Sequence, residues 1–217
     1  QAHQELVQAN ERLTEMNRQL VRRSQCLEAL QVFQAAMGHH VDHECICRAA
    51  TRALSVVLPG VTVGMVHHSS ARSLVYLASH RGQDTTGSCV AVPVTVEFKL
   101  DLSESKDPSS CWLPAATLSE MVRDRLAVLL GDPPSWFRPI RPKGTVIAVF
   151  VVAEDPPGDN LEMLDILAGW TGSWLSAVES QWMATRLGEE LADINRRLAD
   201  SQAAITRVRS LAMVGEM

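Results

Sequence analysis

The apolar residues near the end of the chain recur at alternating steps of four and three, and this spacing restricts the segment to one kind of structure. The alternation runs through Leu187, Leu191, Ile194, Leu198, Ser201, Ile205, Val208, Ala212 and Gly215. It is the heptad pattern of an α-helix that packs lengthwise against another helix in a coiled coil. We call such a row of core positions a seam. Charged residues such as Glu189 and Arg196 fall outside it.

The chain also opens with a leucine repeat. Leu6, Leu13, Leu20 and Leu27 are spaced by seven, and residues 1–37 contain no proline. The interleaved core column is either Asn10, Asn17 and Ser24 or Ala9, Met16 and Arg23. A leucine heptad with a polar partner column is typical of a parallel dimer, although an amphipathic surface helix would also give a leucine stripe. The four repeats, with charged neighbours on all sides, favour the coiled coil.

Composition excludes several classes of protein. The formal net charge of −5 comes without a basic stripe, so nucleic acid is not expected as a partner. The longest apolar run is far shorter than the roughly 20 residues of a membrane-spanning helix, and the polar first residues do not resemble a signal peptide. The five cysteines are scattered, as in reduced thiols of a cytoplasmic protein. The first residue is not Met, so we expect a part of a longer chain.

Between the two heptad segments the pattern is that of a mixed domain. Strand-like runs are found at Val61–His67, Leu74–Ser79, Cys89–Leu100, Trp136–Arg141 and Thr145–Ala153. One helix is predicted after a cap at Asp42 and ends at Pro59-Gly60, another is predicted over about Leu118–Leu130, and 101–116 is predicted to be a loop. The closing helix has an inner stripe of Leu164, Leu167, Thr171, Trp174, Leu175, Val178 and Trp182.

These elements predict an α/β (α+β) fold with a mainly antiparallel sheet of five or six strands, placed between long N- and C-terminal coiled-coil helices. The division that follows is an N-terminal signalling helix over 1–37, a sensor domain over 38–182 and a C-terminal coiled-coil linker over 183–217.

The stretch WFRPIRPKGTVIAVFVVAEDPPGDNLEMLDILAGWTGSWLSAVES resembles the last two strands and the closing helix of a GAF domain. The matching places are Pro139-Ile140, Lys143-Gly144, Val146–Val151, Glu162–Leu164 and Ala177–Glu179. Ala148 departs from the family, where Gly is common. The resemblance extends over about 30–182, is weakest over 83–131, and implies a GAF-like sensor domain.

A second resemblance lies at the end of the chain. Arg209–Met217, RSLAMVGEM, resembles the start of the dimerisation and phosphoacceptor helix of sensor histidine kinases. It implies a dimeric sensory module of a two-component system that relays the state of its GAF domain to a downstream kinase core in cis, and through that core to a response regulator. The chain itself contains no catalytic site, and the acceptor His is expected in the residues that follow Met217.

Several residues are candidates for ligand binding. His39, His40 and His43 have a spacing that could bind a metal, but Gly38 and the cap at Asp42 interrupt their helix. His67-His68 and His80 end the two strands of a hairpin and could approach one another, and some GAF domains bind haem through a His. Cys111-Trp112 invites comparison with bilin-attaching GAF domains, in which the residue after the Cys is often His. No metal site and no cofactor is identified on these grounds.

An unidentified small-molecule ligand is left open, and its pocket is predicted between the sheet and the 118–130 helix. The expected lining residues are Cys111, Trp112, Met121 and Trp136. Alternative functions also remain: a GAF dimerisation module ahead of a cyclic-dinucleotide cyclase or a transcription activator, or a haem- or bilin-binding sensor. In each case we expect a parallel homodimer joined along the seams.

Overall fold

The computed structural model describes residues 2–38, 41–70, 72, 74–81, 88–93, 112–117, 120–141, 146–154 and 161–215. Its helices are α1 (Ala2–Ala36), α2 (His43–Val57), α3 (Glu120–Leu130) and α4 (Leu161–Gly215). Its strands are β1 (Val63–Ser69), β2 (Leu74–His80), β3 (Ser88–Pro93), β4 (Leu113–Pro114), β5 (Trp136–Ile140) and β6 (Ala148–Val152). Among the described residues, no helix is both long enough and apolar enough to cross a membrane.

The six described strands form one sheet in the order β3-β2-β1-β6-β5-β4, and every neighbouring pair is antiparallel. The predicted α/β fold with an antiparallel sheet and long flanking helices is therefore confirmed. Strand β4 falls within 101–116, which was predicted to be a loop, because a strand of two residues has no periodicity to detect. The predicted strand over Cys89–Leu100 is described only as far as Pro93, and the rest lies outside the described residues.

The sheet has a different apolar cluster on each face. Side chains alternate along β1, so Val63 and Met65 belong to a cluster with the buried residues of α2, whereas Val66 belongs to a second cluster with Leu126 and Leu130 of α3. The first cluster also takes in buried residues from the end of α1 and the start of α4. We call the side covered by these three helices the α2 face and the other side the α3 face.

Helix α2 begins and ends as its sequence predicts. The Asp42 carboxylate accepts a hydrogen bond of 2.7 Å from the backbone N–H of Cys45, which satisfies a donor that the first turn of a helix leaves unpaired. The chain leaves the helix at Pro59-Gly60, and Gly60 has a φ of +85°. This left-handed backbone favours glycine, as expected just after a helix.

Helix α3 ends at a second left-handed glycine, Gly131, with a φ of +78°. Arg81 lies against this glycine, and its Nε donates a hydrogen bond of 3.1 Å to the carbonyl of Leu130. A Cβ added at Gly131 would overlap the guanidinium of Arg81. Arg81 thus caps the end of α3, and only a glycine at position 131 leaves space for its side chain.

We expect Gly131→Ala to lower the free energy of unfolding by about 1–3 kcal/mol, because alanine is strained at positive φ and displaces Arg81. Gly169→Ala is the matched control, since Gly169 lies in α4 with nothing within 4 Å of an added Cβ. That substitution should raise stability by about 0.5–1 kcal/mol, because alanine is the better helix former. Urea unfolding of the two variants measures whether each free energy of unfolding falls or rises. A Gly131→Ala protein as stable as the parent would contradict the role of Gly131 and Arg81 at the end of α3.

By the density of its contacts, the chain divides into two compact units, Gln1–Val178 and Glu179–Met217. The first contains the sheet and both apolar clusters. The second is the later part of α4, and its described side chains are almost all exposed. The boundaries predicted at 37/38 and 182/183 stay predictions.

Candidate functional site

Three rings from two strands and a helix pack together on the α2 face of the sheet. His67 of β1 and Tyr76 of β2 are paired directly across the two strands, and His43 reaches them from the first turn of α2. The ring centroids of His43 lie 5.2 Å from those of both His67 and Tyr76, and the His67–Tyr76 distance is 5.8 Å. The ring planes lie within 22° of one another, and each residue is at most 2 % exposed. We call these three residues the ring cluster.

Hydrogen bonds fix two of the rings. The Nδ1 of His67 lies 2.8 Å from the carbonyl oxygen of Ile147, and because a carbonyl can only accept, the proton of this bond is on Nδ1. The hydroxyl of Tyr76 accepts a hydrogen bond of 3.0 Å from the guanidinium of Arg72. Arg72 is itself held by its backbone N–H, which donates to the hydroxyl of Ser69 at 3.3 Å. The orientations of His67 and Tyr76 therefore depend on the turn after β1 and on the residue before β6.

The ring cluster connects the sheet to the start of α2. Imidazole and phenol rings are polar groups inside a mainly apolar core, and buried polar groups of this kind specify one arrangement when they are hydrogen-bonded. Because the rings are stacked, a shift of the His67 or Tyr76 ring would displace the His43 ring and, with it, the first turn of α2. The cluster can therefore couple the β1–β2 hairpin mechanically to the helix that covers it.

This combination of residues was not predicted. The hairpin interpretation, in which His67-His68 approaches His80, is wrong: His67 is paired with Tyr76, His68 with Val75, and His80 with Val63. His67 and His80 are separated along the hairpin because the register pairs opposite ends of the two strands. Of the other histidine group, His43 alone is described, since His39 and His40 lie outside the described residues.

Two signals in the sequence point to the ring cluster. His67 follows Val63 and Met65 at steps of two, which places it on their face of β1. His43 precedes Ile46 and Ala50 at helical spacing, which places it on the buried face of α2. The pairing of His67 with Tyr76 depends on the hairpin register, and neither residue reveals that register by itself.

A buried ion pair lies on the same face of the sheet. Arg138 of β5 is 5 % exposed, and its guanidinium contacts the carboxylate of Asp165 on α4, a side chain that is 40 % exposed. An arginine at this depth is stable only with a partner, because an uncompensated charge in the core has lost its water. The pair joins the strand to the first part of α4.

We expect Asp165→Ala to lower the free energy of unfolding by about 1–3 kcal/mol, because it leaves a buried guanidinium without its acceptor. The double variant Arg138→Met with Asp165→Ala should recover most of that loss, since it removes the charge as well as its partner. Thermal or urea unfolding of the single and double variants measures the difference. A double variant less stable than Asp165→Ala alone would contradict this account of the pair.

The predicted ligand-lining residues do not all come together. Cys111 lies outside the described residues, and for Met121 only its place on α3 is described. Trp112 and Trp136 both pack in the cluster on the α2 face, and Trp112 is 8 % exposed. The buried residues of α3 belong to the cluster on the other face. The two tryptophans therefore lie away from the buried side of α3, and the ligand pocket stays a prediction.

The predicted seam residues lie on helices and are exposed in a single chain. Their exposed fractions run from 51 % to 70 % for Leu6, Leu13, Leu20, Leu27, Leu187, Leu191, Ile194, Leu198 and Ile205. The side chain of Val208 lies outside the described part of α4. Large aliphatic side chains repeated at heptad spacing along a helix are the pattern that a second helix covers.

The inner stripe predicted for the first part of α4 needs one correction. Leu164, Leu167, Thr171, Leu175 and Val178 are buried, as their spacing indicates. The helical spacing predicts that Trp174 and Trp182 belong to the same stripe, but they are 38 % and 39 % exposed. Trp174 precedes the buried Leu175 by one residue, which turns it about 100° around the helix and out of the core.

No known protein family and no curated protein matches this chain. Among solved structures, the chain is similar to residues 122 to 287 of a methyl-accepting chemotaxis protein, with 16% identity over 70% of this chain and 98% of that one, and a TM-score of 0.47. It is also similar to the GAF domain of the Acinetobacter phosphoenolpyruvate-protein phosphotransferase, with 15% identity over 76% of this chain and 96% of that one, and a TM-score of 0.46.

Proposed function

We propose that this chain is the sensory and signal-transmitting dimeric module of a cytoplasmic two-component sensor histidine kinase. Two copies lie in parallel, and the state of the GAF-like domain passes through a coiled coil to a downstream kinase core, which phosphorylates a response regulator. The observation that carries the proposal is the exposure of the two seams, whose described leucines and isoleucines are all more than half exposed in one chain.

The pattern of exposure along α1 indicates that this helix has a binding partner outside its own domain. Near its end, Ala29 and Phe33 are completely buried against the rest of the domain, whereas Leu27 is 61 % exposed. The helix therefore docks on its own domain through one face and presents the leucine stripe on another. Folding of a single chain leaves the stripe uncovered, so its heptad spacing is explained by a second helix.

The heptad positions of α4 also extend backward from Leu187. Counted in sevens from the seam, Ile166 takes the same position as Leu187, and Trp170 takes the same position as Leu191. Both are more than a third exposed. Between them and Leu187 the seam positions hold only Ser173, Ala177, Ser180 and Ala184. Small residues at these positions weaken packing locally, and a seam with two arrangements of similar energy is what signal transmission requires.

The kinase assignment is supported by the resemblance of Arg209–Met217 to the start of a phosphoacceptor helix. This segment continues the seam in phase, since Ala212 and Gly215 follow Val208 at steps of four and three. Helix α4 is described as far as Gly215. A signal carried by the seam would therefore arrive directly at the helix that bears the acceptor histidine.

The parallel arrangement is tested by cysteine cross-linking. Leu191→Cys and Ile205→Cys, made separately, should each give a disulfide-linked dimer under mild oxidation, because a parallel dimer brings every seam residue against its own copy. Ala192→Cys is the control, since it lies one residue off the seam and is exposed. An antiparallel dimer would cross-link at no more than one of the two positions, and that result would overturn the parallel arrangement.

Transmission is tested in the parent kinase by changing the phase of the seam. Deleting Leu191–Arg197 removes one heptad and keeps the phase, whereas deleting Asn195 and Arg196 turns the rest of the seam by about 200°. The two-residue deletion should change the autophosphorylation rate about 5- to 150-fold, the usual range of coupling between sites, while the heptad deletion should leave it near the parent value. Equal rates for the two deletions, or a parent with no kinase activity, would contradict the proposal.

A further inference from the structure

Two cysteine thiols lie against each other on the α2 face of the sheet, apart from the ring cluster. Cys47 is on α2 and is completely buried, and Cys89 is on β3 and is half-buried. In the sheet register Cys89 is paired with Ala78, which places it on the face that α2 covers. A side-chain hydrogen bond joins the two thiols. The sulfur atoms therefore meet across the boundary between the helix and the sheet.

We propose that Cys47 and Cys89 are a redox-active pair that a peroxide oxidises to a disulfide. A disulfide forms directly between the two sulfur atoms, and the side-chain hydrogen bond already brings the thiols of Cys47 and Cys89 together.

The chemistry begins at Cys89. Its thiolate attacks one oxygen of the peroxide, the O–O bond breaks, and a sulfenic acid forms while the other oxygen leaves as water or an alcohol. The sulfur of Cys47 then displaces water from the sulfenic acid as its own proton is lost, and the S–S bond closes. The two thiols are oxidised by two electrons and the peroxide is reduced by two.

The order of the two steps follows from burial. Burial raises the pKa of the Cys47 thiol well above its ordinary value, with the hydrogen bond to Cys89 adding to the effect. A thiol that keeps its proton is a poor nucleophile, so Cys47 does not react first with a peroxide from solution; it attacks only the sulfenic acid that Cys89 holds directly against it. Cys89 is half-buried and therefore accessible, which makes it the first to react and Cys47 the resolving thiol.

Oxidation would give the domain two covalent states. Among the described strands, β3 is the last at its end of the sheet, and it is hydrogen-bonded to β2. A disulfide from β3 to α2 ties this strand to the helix that bears His43, so movement of the strand against the helix is lost. A cross-link of this kind also restricts the unfolded chain, and it should raise the melting temperature.

Cys45 is the matched control on the same helix. It lies two residues from Cys47, and its thiol donates a hydrogen bond of 3.1 Å to the carbonyl of Ala36. Burial is the main cause that raises the pKa of this thiol as well. Cys45 therefore lies on the same helix as Cys47 and also has a thiol whose pKa is raised by burial, but its thiol contacts the end of α1 and not β3.

The test treats the whole chain with hydrogen peroxide, blocks the remaining thiols with N-ethylmaleimide and maps the tryptic peptides. The expected result is a linked pair that joins the peptide over 82–99, whose cysteine is Cys89, to the peptide that ends at Arg48, with fragment ions that place the bond on Cys47. The linkage should disappear in Cys89→Ala and in Cys47→Ala, persist in Cys45→Ala, and revert with dithiothreitol. The oxidised parent should melt at a higher temperature than the reduced one, and oxidised Cys89→Ala should not.

The proposal is overturned if peroxide takes Cys89 to the sulfinic acid without a cross-link, or if the bond forms to Cys45. Because Cys47 is a core residue, Cys47→Ala alone could lose the linkage by misfolding. Cys89→Ala removes a half-buried side chain on β3 and provides the second, independent variant. A shift in melting temperature of equal size in oxidised parent and oxidised Cys89→Ala would also count against the pair.

Discussion

The double substitution Ile194→Asp with Leu198→Asp should convert the dimer into a folded monomer. Both residues are seam positions of α4, and they are 59 % and 55 % exposed in one chain. In a dimer each copy would lose two buried aliphatic side chains and place two carboxylates in the seam. At about 1.5–3 kcal/mol for each side chain, the loss weakens dimerisation by at least about a thousandfold. Sedimentation velocity at micromolar concentration measures the change.

Ala192→Asp with Ala199→Asp is the matched control for this prediction. It adds the same number of carboxylates to the same stretch of helix, but both alanines lie one residue off the seam. This variant should remain a dimer. Because the sheet and both apolar clusters belong to the unit over Gln1–Val178, both variants should keep the far-ultraviolet circular dichroism of a folded domain. Equal dissociation in the two variants would mean that charge, and not the seam, decides the assembly.

Phe33→Ala should lower the free energy of unfolding by about 3–5 kcal/mol, which is the usual cost of removing a buried phenylalanine from a core. Phe33 is among the largest fully buried side chains, and it comes from α1 although most of that helix is exposed. It packs in the same cluster as Ile46, Leu54 and Leu167. The end of α1 is therefore part of the domain core, and urea unfolding at a fixed protein concentration measures its contribution.

Gln34→Ala controls for the helix itself, because Gln34 is the next residue along α1 and is exposed. Its effect should stay within about 0.5 kcal/mol, as for other surface substitutions. If Phe33→Ala were as mild as Gln34→Ala, the end of α1 would not be part of the core, and the argument that its leucine stripe faces a separate partner would fail.

Local signals in the sequence were sufficient to predict most of the elements. Asp42 predicted the start of α2, because a carboxylate before a helix satisfies the unpaired N–H groups of its first turn. Pro59-Gly60 and Gly131 predicted the ends of two helices for the complementary reason that a left-handed backbone favours glycine. The short runs rich in β-branched residues along β1 and β2 predicted strands, and so did the alternation of valines that begins in β3. Each of these signals acts within a few residues, so it can be detected in the sequence without knowledge of the tertiary structure.

Contacts between distant elements were harder to predict. The ring cluster depends on the register of β1 against β2, which pairs His67 with Tyr76, and on the docking of α2. The hydrogen bond between the thiols of Cys47 and Cys89 also depends on how α2 packs on the sheet, because Cys89 lies on β3. The helical spacing predicts a buried Trp174, because a large aromatic residue next to Leu175 fits that spacing almost as well as Leu175 does. In each case tertiary packing decides between patterns that the local sequence permits.

The assembly of two chains along the seams is the central claim, and the mass of the unmodified chain in solution tests it most directly. Sedimentation equilibrium over a range of micromolar concentrations should give twice the 23.8 kDa of one chain. The value should not fall as the sample is diluted through that range. A mass of 23.8 kDa at every concentration would contradict the account, since the apolar stripes of α1 and α4 would then be exposed to water without a partner.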